Sequence, residues 1–151
     1  MDIYDSPKSE VKDAKCHVFS PFKGVLVGLI ITILGTSSAS VVNTIVCGVI
    51  YINELKAYKG YDALILHPEF LISDLVSNLI VLFMAGRFLA GCTQDKRVFY
   101  SIVLSALTLL IFSAILLVGG GLSKNPFWYT ISILVFTPIS IVSGARLRKI
   151  T

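Results

Sequence analysis

Three stretches of this chain, residues 24–52, 98–120 and 126–145, contain no charged side chain, and a fourth, 70–91, contains only Asp74 and Arg87. Each is about as long as the roughly 20 residues a helix needs to cross a ~30 Å hydrocarbon core. A soluble domain of 151 residues has too little interior to bury four such runs. With 55% of residues hydrophobic and 15% charged, the rest of the chain offers no counterweight. The expected fold is an all-α membrane protein with four transmembrane helices. Residues 1–23 form an N-terminal arm, 24–145 a single membrane domain, and 146–151 a basic tail.

The first run exceeds the minimum span, so it tilts or projects beyond the bilayer. Its opening, GVLVGLIITIL followed by GTSSAS, has the form of a signal-peptide core and a small-residue cleavage site. The apolar run resumes at once with VVNTIVCGVIYI, which reads as an uncleaved first span. Asn125-Pro126 supplies a cap and a first-turn proline for the fourth helix. Pro138 should kink that helix.

Basic residues set the expected orientation. Ten of the thirteen Lys and Arg lie in the N-terminal arm, the second-to-third connection and the tail, and three lie on the other side of the spans. By the positive-inside rule both termini are cytoplasmic. Arg87, Trp128 and Arg146 read as interface anchors, and Tyr51, Tyr58, Tyr61 and Phe127-Trp128-Tyr129 as an outer aromatic belt. The net charge of +4 is spread over many segments, which excludes a nucleic-acid patch.

Polar residues inside the spans are the functional leads. Asp74 and Arg87 are separated by twelve uncharged residues, about 18 Å of helix. Arg87 can snorkel to the interface and Asp74 cannot, which places Asp74 within the outer leaflet. Ser73, Asp74, Ser77, Asn78 and Ala85 share one helix face, and Arg87 lies on another. Asn43 of the first span sits at a depth similar to Asn78. The expected cluster is Asn43, Asp74 and Asn78. The first span also carries small residues at every fourth position, Gly24, Gly28, Thr32, Thr36, Ser40, Thr44 and Gly48, a stripe suited to close helix packing.

No metal site is expected. His67 and Glu69 could join Asp74 in an external metal or proton site, but a lone histidine beside Pro68 reads as a helix start, and Cys16-His17 with Cys92 would chelate poorly. Cys16, Cys47 and Cys92 show no paired spacing. No P-loop, nucleophile elbow, HExxH or catalytic carboxylate pair occurs, so neither enzymatic activity nor a cofactor is expected.

The second-to-third connection, with Ala85-Gly86-Arg87 and Ala90-Gly91 before a charged turn, and Pro138 in the fourth span, resembles a family of small four-helix bacterial inner-membrane proteins. The resemblance covers nearly the whole chain. It implies a topology and a bacterial inner-membrane location, and no activity. Small multidrug exporters share the helix count but depend on a first-span carboxylate, which residues 24–52 lack. Membrane glutathione and eicosanoid enzymes share the length but not the arginine-rich signature.

Together these features point to an accessory or scaffold subunit that packs against another membrane protein or itself, through the first-span stripe and the 53–69 segment. The alternative is an oligomeric transporter or channel component using Asp74 for proton or cation binding.

Overall fold

The computed structural model describes residues 20–51, 67–93, 96–118 and 125–148. It contains four helices: α1 (Pro21–Ile50), α2 (Pro68–Cys92), α3 (Arg97–Val118) and α4 (Phe127–Arg146). All four are long and apolar enough to cross a membrane, with mean hydropathy between 1.5 and 2.7. That is the make-up of a multi-pass membrane protein. Each helix lies within three residues of the run that predicted it. Cys16, His17 and most of the 53–69 segment lie outside the described residues.

In hydrocarbon every backbone N–H and C=O must be paired within the segment, so β-branched and glycine-rich runs still form helices there. Proline begins α1 and α2, where its missing N–H costs no hydrogen bond. Glu69 stands in the first turn of α2 and Arg146 in the last turn of α4, each matched to the helix dipole. The α4 helix continues unbroken through Pro138.

Helix α2 is the centre of the bundle, packing against α1 on one side and α4 on the other, while α3 lies mainly against α4. Two apolar clusters hold the helices together. One, near the arginine-rich end, joins Val25, Leu82, Leu89, Leu104 and Ile141. The other, near the opposite end, joins Cys47, Phe70, Leu71 and Tyr129. Around that second end, Tyr51 stacks on His67 with ring centroids 4.4 Å apart, tying the last turn of α1 to the start of α2.

The tightest approach is between α2 and α4. A Cβ built on Gly86 would collide with the Ile141 carbonyl, and one on Gly144 with the Phe83 carbonyl. The two backbones therefore touch, flanked by Ala85 and Ala145, which are fully buried. Small residues permit this in membranes, where packing rather than solvent exclusion drives helix association.

The α1 stripe is used in part for the same purpose. Gly24 faces Cys92, Gly28 faces Leu104, and Thr32 and Thr36 are buried. Thr32, Thr36 and Thr44 donate to the carbonyls of Gly28, Thr32 and Ser40, at 2.9, 2.7 and 2.8 Å. Such back-bonding hides the hydroxyl and leaves a methyl for packing.

Gly86→Leu or Gly144→Ile is expected to wedge α2 from α4 and cost on the order of 3 kcal/mol. At Gly91 the obstacle is the Arg148 side chain, which can move, so Gly91→Ala is expected to be close to neutral. Thermal unfolding of the detergent-solubilised variants checks the contrast, and equal stability of all three would refute the close crossing.

Candidate functional site

Asp74 is buried, at 6% exposure, one and a half turns into α2. Its carboxylate accepts hydrogen bonds from three helices. Ser40 Oγ of α1 donates to Oδ1 at 2.7 Å. Asn78 Nδ2, on the next turn of α2, donates to Oδ2 at 3.0 Å. The Tyr129 hydroxyl of α4 also donates to Oδ2. Each partner is a neutral donor, so the hydrogen bonding that satisfies the carboxylate brings no countercharge. Asn78 Nδ2 also reaches Ser40 Oγ at 3.4 Å, closing the ring between α1 and α2.

Asn43 belongs to a neighbouring network. Its Nδ2 donates to the Phe70 carbonyl at 3.2 Å, and its Oδ1 accepts from Ser73 Oγ at 2.7 Å. Cys47 Sγ approaches the same oxygen at 3.7 Å. Asn43 makes no hydrogen bond to Asp74 or Asn78. The expected three-residue cluster is thus divided: Asp74 and Asn78 meet directly, and Asn43 clamps the same helix pair one turn nearer the Tyr51 end.

Two members of the site were not among the residues expected there. Ser40 was assigned to the packing stripe and Tyr129 to the aromatic belt. Ser40 had a signal: it lies three residues before Asn43 on α1, about one turn further from the Tyr51 end, and Asp74 lies four residues beyond Phe70 on α2. The partner of Tyr129 depends on how α2 and α4 cross. Tyr129 and Asp74 are 55 residues apart, the same separation as Ile141 and Gly86 at the glycine crossing.

The other predicted positions are structural. Arg87 is exposed, and its carbonyl accepts from Arg148 Nη1 at 3.0 Å. Arg97 Nη1 donates to the Arg148 carbonyl at 2.8 Å, so the ends of α2, α3 and α4 are linked. Trp128 is 43% exposed and meets Tyr129 edge to face, centroids 5.9 Å apart. Thr44 and Gly48 are half-buried. No group of three metal-ligating side chains occurs among the described residues.

A pocket of about 320 Å³ adjoins the carboxylate. Thr36, Ser37, Ser40, Asp74, Asn78, Asn125 and Tyr129 make its polar side, and Phe112, Ile115, Leu116 and Ile133 its apolar side. Helices α1 and α3 touch at Gly28 and Leu104. Further along, the pocket lies between them, and Ser37 and Ile115 at its rim are exposed. The Asn78 Oδ1 is buried and has no hydrogen-bond partner.

Tyr129→Phe and Ser40→Ala each remove a donor from one buried carboxylate, at an expected cost of about 1–3 kcal/mol. Their effects should be non-additive. Tyr129→Phe combined with Asn43→Ala should couple more weakly, because their side chains hydrogen-bond to different groups, the Asp74 carboxylate and the Phe70 carbonyl. Strong coupling in the second pair, measured by unfolding, would contradict the division into two networks.

The chain matches no protein-family model, no curated protein and no solved structure.

Proposed function

We propose that this chain is a non-enzymatic bacterial inner-membrane protein, both termini cytoplasmic, that binds a proton or cation at Asp74 within an oligomeric transporter or channel. The carrying observation is a buried carboxylate beside a pocket, held from three helices by neutral donors. Intramembrane carboxylates are costly to retain and mark ion or substrate paths when they face a cavity. Four helices form a narrow bundle, and an assembly of copies would enclose a continuous path. The concentration of Lys and Arg at the end away from Asp74 supports the orientation.

An accessory-subunit role draws on a different feature. A shallow groove runs along the α1–α2 seam, lined by Ser38, Ala39, Val42, Asn43, Val46, Ser73 and Ser77. Small and hydroxylated residues of this kind build helix contacts in membranes. The first-span stripe is a weaker docking surface, because Gly24, Gly28, Thr32 and Thr36 are buried within the chain itself.

Reconstituted wild-type protein is expected to carry a proton or monovalent-cation flux that Asp74→Asn abolishes. Flux unchanged by the substitution would retire the carboxylate role. Native mass spectrometry of gently extracted protein addresses the alternative, since a stoichiometric foreign subunit would favour the accessory reading. For orientation, single cysteines at Lys8 and Lys56 are expected to be labelled by impermeant maleimide only at position 56 in intact cells.

A further inference from the structure

We infer that the Asp74 pocket takes a small organic ammonium ion, one charged N–H group on a compact apolar body. The inference rests on the reading of Asp74 as a cation site and names the class of cation.

Charge comes first. Among the described residues lining the pocket Asp74 is the only charged one. Acceptor capacity comes second. An ionised carboxylate offers about four acceptor positions, of which Ser40, Asn78 and Tyr129 occupy three. One position on Oδ1 is left over, and on the next turn of α2 the buried Asn78 Oδ1 has no hydrogen-bond partner. An unfilled acceptor position on a carboxylate matches an ammonium group, which brings several N–H bonds and a positive charge in one atom.

Shape decides between an ammonium and a bare metal ion. Hard cations require a shell of oxygen ligands. Here oxygens line one side of the pocket only, and Phe112, Ile115, Leu116 and Ile133 line the rest. That wall suits an apolar body, and Phe112 adds an aromatic ring to it. At about 320 Å³ the pocket is at the lower end of the ~300–1,000 Å³ typical of small-molecule sites. It accommodates one ring and a short chain. The exposed rim at Ser37 and Ile115 gives access from the side.

The test uses full-length protein in lipid nanodiscs with 2-phenylethylammonium as the probe, and sodium and potassium ions titrated in parallel. Saturable binding of the amine is expected. It should weaken roughly tenfold or more in Asp74→Asn, through loss of a charged hydrogen bond. Phe112→Ala leaves the carboxylate and its three donors in place, so it tests the wall separately. It should weaken the amine about three- to tenfold. Asp74-dependent proton flux or sodium binding without amine binding would overturn the ammonium assignment and leave the cation-site reading standing. Absence of all three would overturn both. Amine binding indifferent to Asp74→Asn and Phe112→Ala would also overturn the inference.

Discussion

The backbone contact between α2 and α4 at Gly86 and Gly144 is the constraint on which the rest of the bundle depends. Lipid tails are as apolar as leucine, so burying leucine between two helices gains little over leaving it in the bilayer. Close packing and polar contacts decide the arrangement instead. A glycine on each helix set against a carbonyl of the other fixes both the separation and the register. That register brings the Tyr129 hydroxyl to the Asp74 carboxylate, about 18 Å along the helix from the crossing. A substitution that spread the crossing would act on the polar site from a distance.

Hydroxyl groups in this bundle divide into two uses according to what lies opposite them. Thr32, Thr36 and Thr44 donate to their own helix and present methyl groups to their neighbours. Ser40 lies in the same stripe and has the same donor, but the acceptor across the seam is a carboxylate, and its hydrogen bond crosses to α2. Asn43 does the corresponding work one turn away, pairing with a backbone carbonyl and a serine. The α1–α2 pair is therefore bolted by two polar contacts at successive turns. In its other half Gly24 lies against Leu89 and Cys92 of α2, and Gly28 turns mainly to Leu104 of α3.

What the sequence disclosed follows from the kind of information each feature needs. A long apolar run with few or no charges identifies a candidate span by composition alone, and all four helices were legible. A 3.6-residue period puts Asp74 and Asn78 on one face without knowledge of any neighbour. Depth counted from the Tyr51 end brought Asn43 to about the right level, but rotation about α1 decides whether it meets Asp74 or Phe70. That rotation is set by Gly28 against Leu104 and by the α1–α2 contact, neither of which a linear pattern encodes. Tyr129 was hidden for a stronger reason. Its partner is fixed by a crossing between non-consecutive helices, and beside Phe127 and Trp128 it looks like any interfacial aromatic.

The chemistry of the clamp bears on how such a site could work. Had a lysine or arginine answered Asp74, the pair would be a closed structural unit, costly to open. Three neutral donors satisfy the carboxyl group's hydrogen bonding without supplying a countercharge. The donors also come from unequal neighbours. Tyr129 sits on α4, which the glycine crossing holds against α2 with no side chain free to repack. Ser40 sits on α1, whose other flank borders the pocket, and α3 forms the opposite wall with little contact to α2. A ligand that altered the partners of Asp74 would meet a fixed side at α2 and α4 and a yielding side at α1 and α3. Adjustment at the yielding side requires no break in the closest backbone contact of the fold.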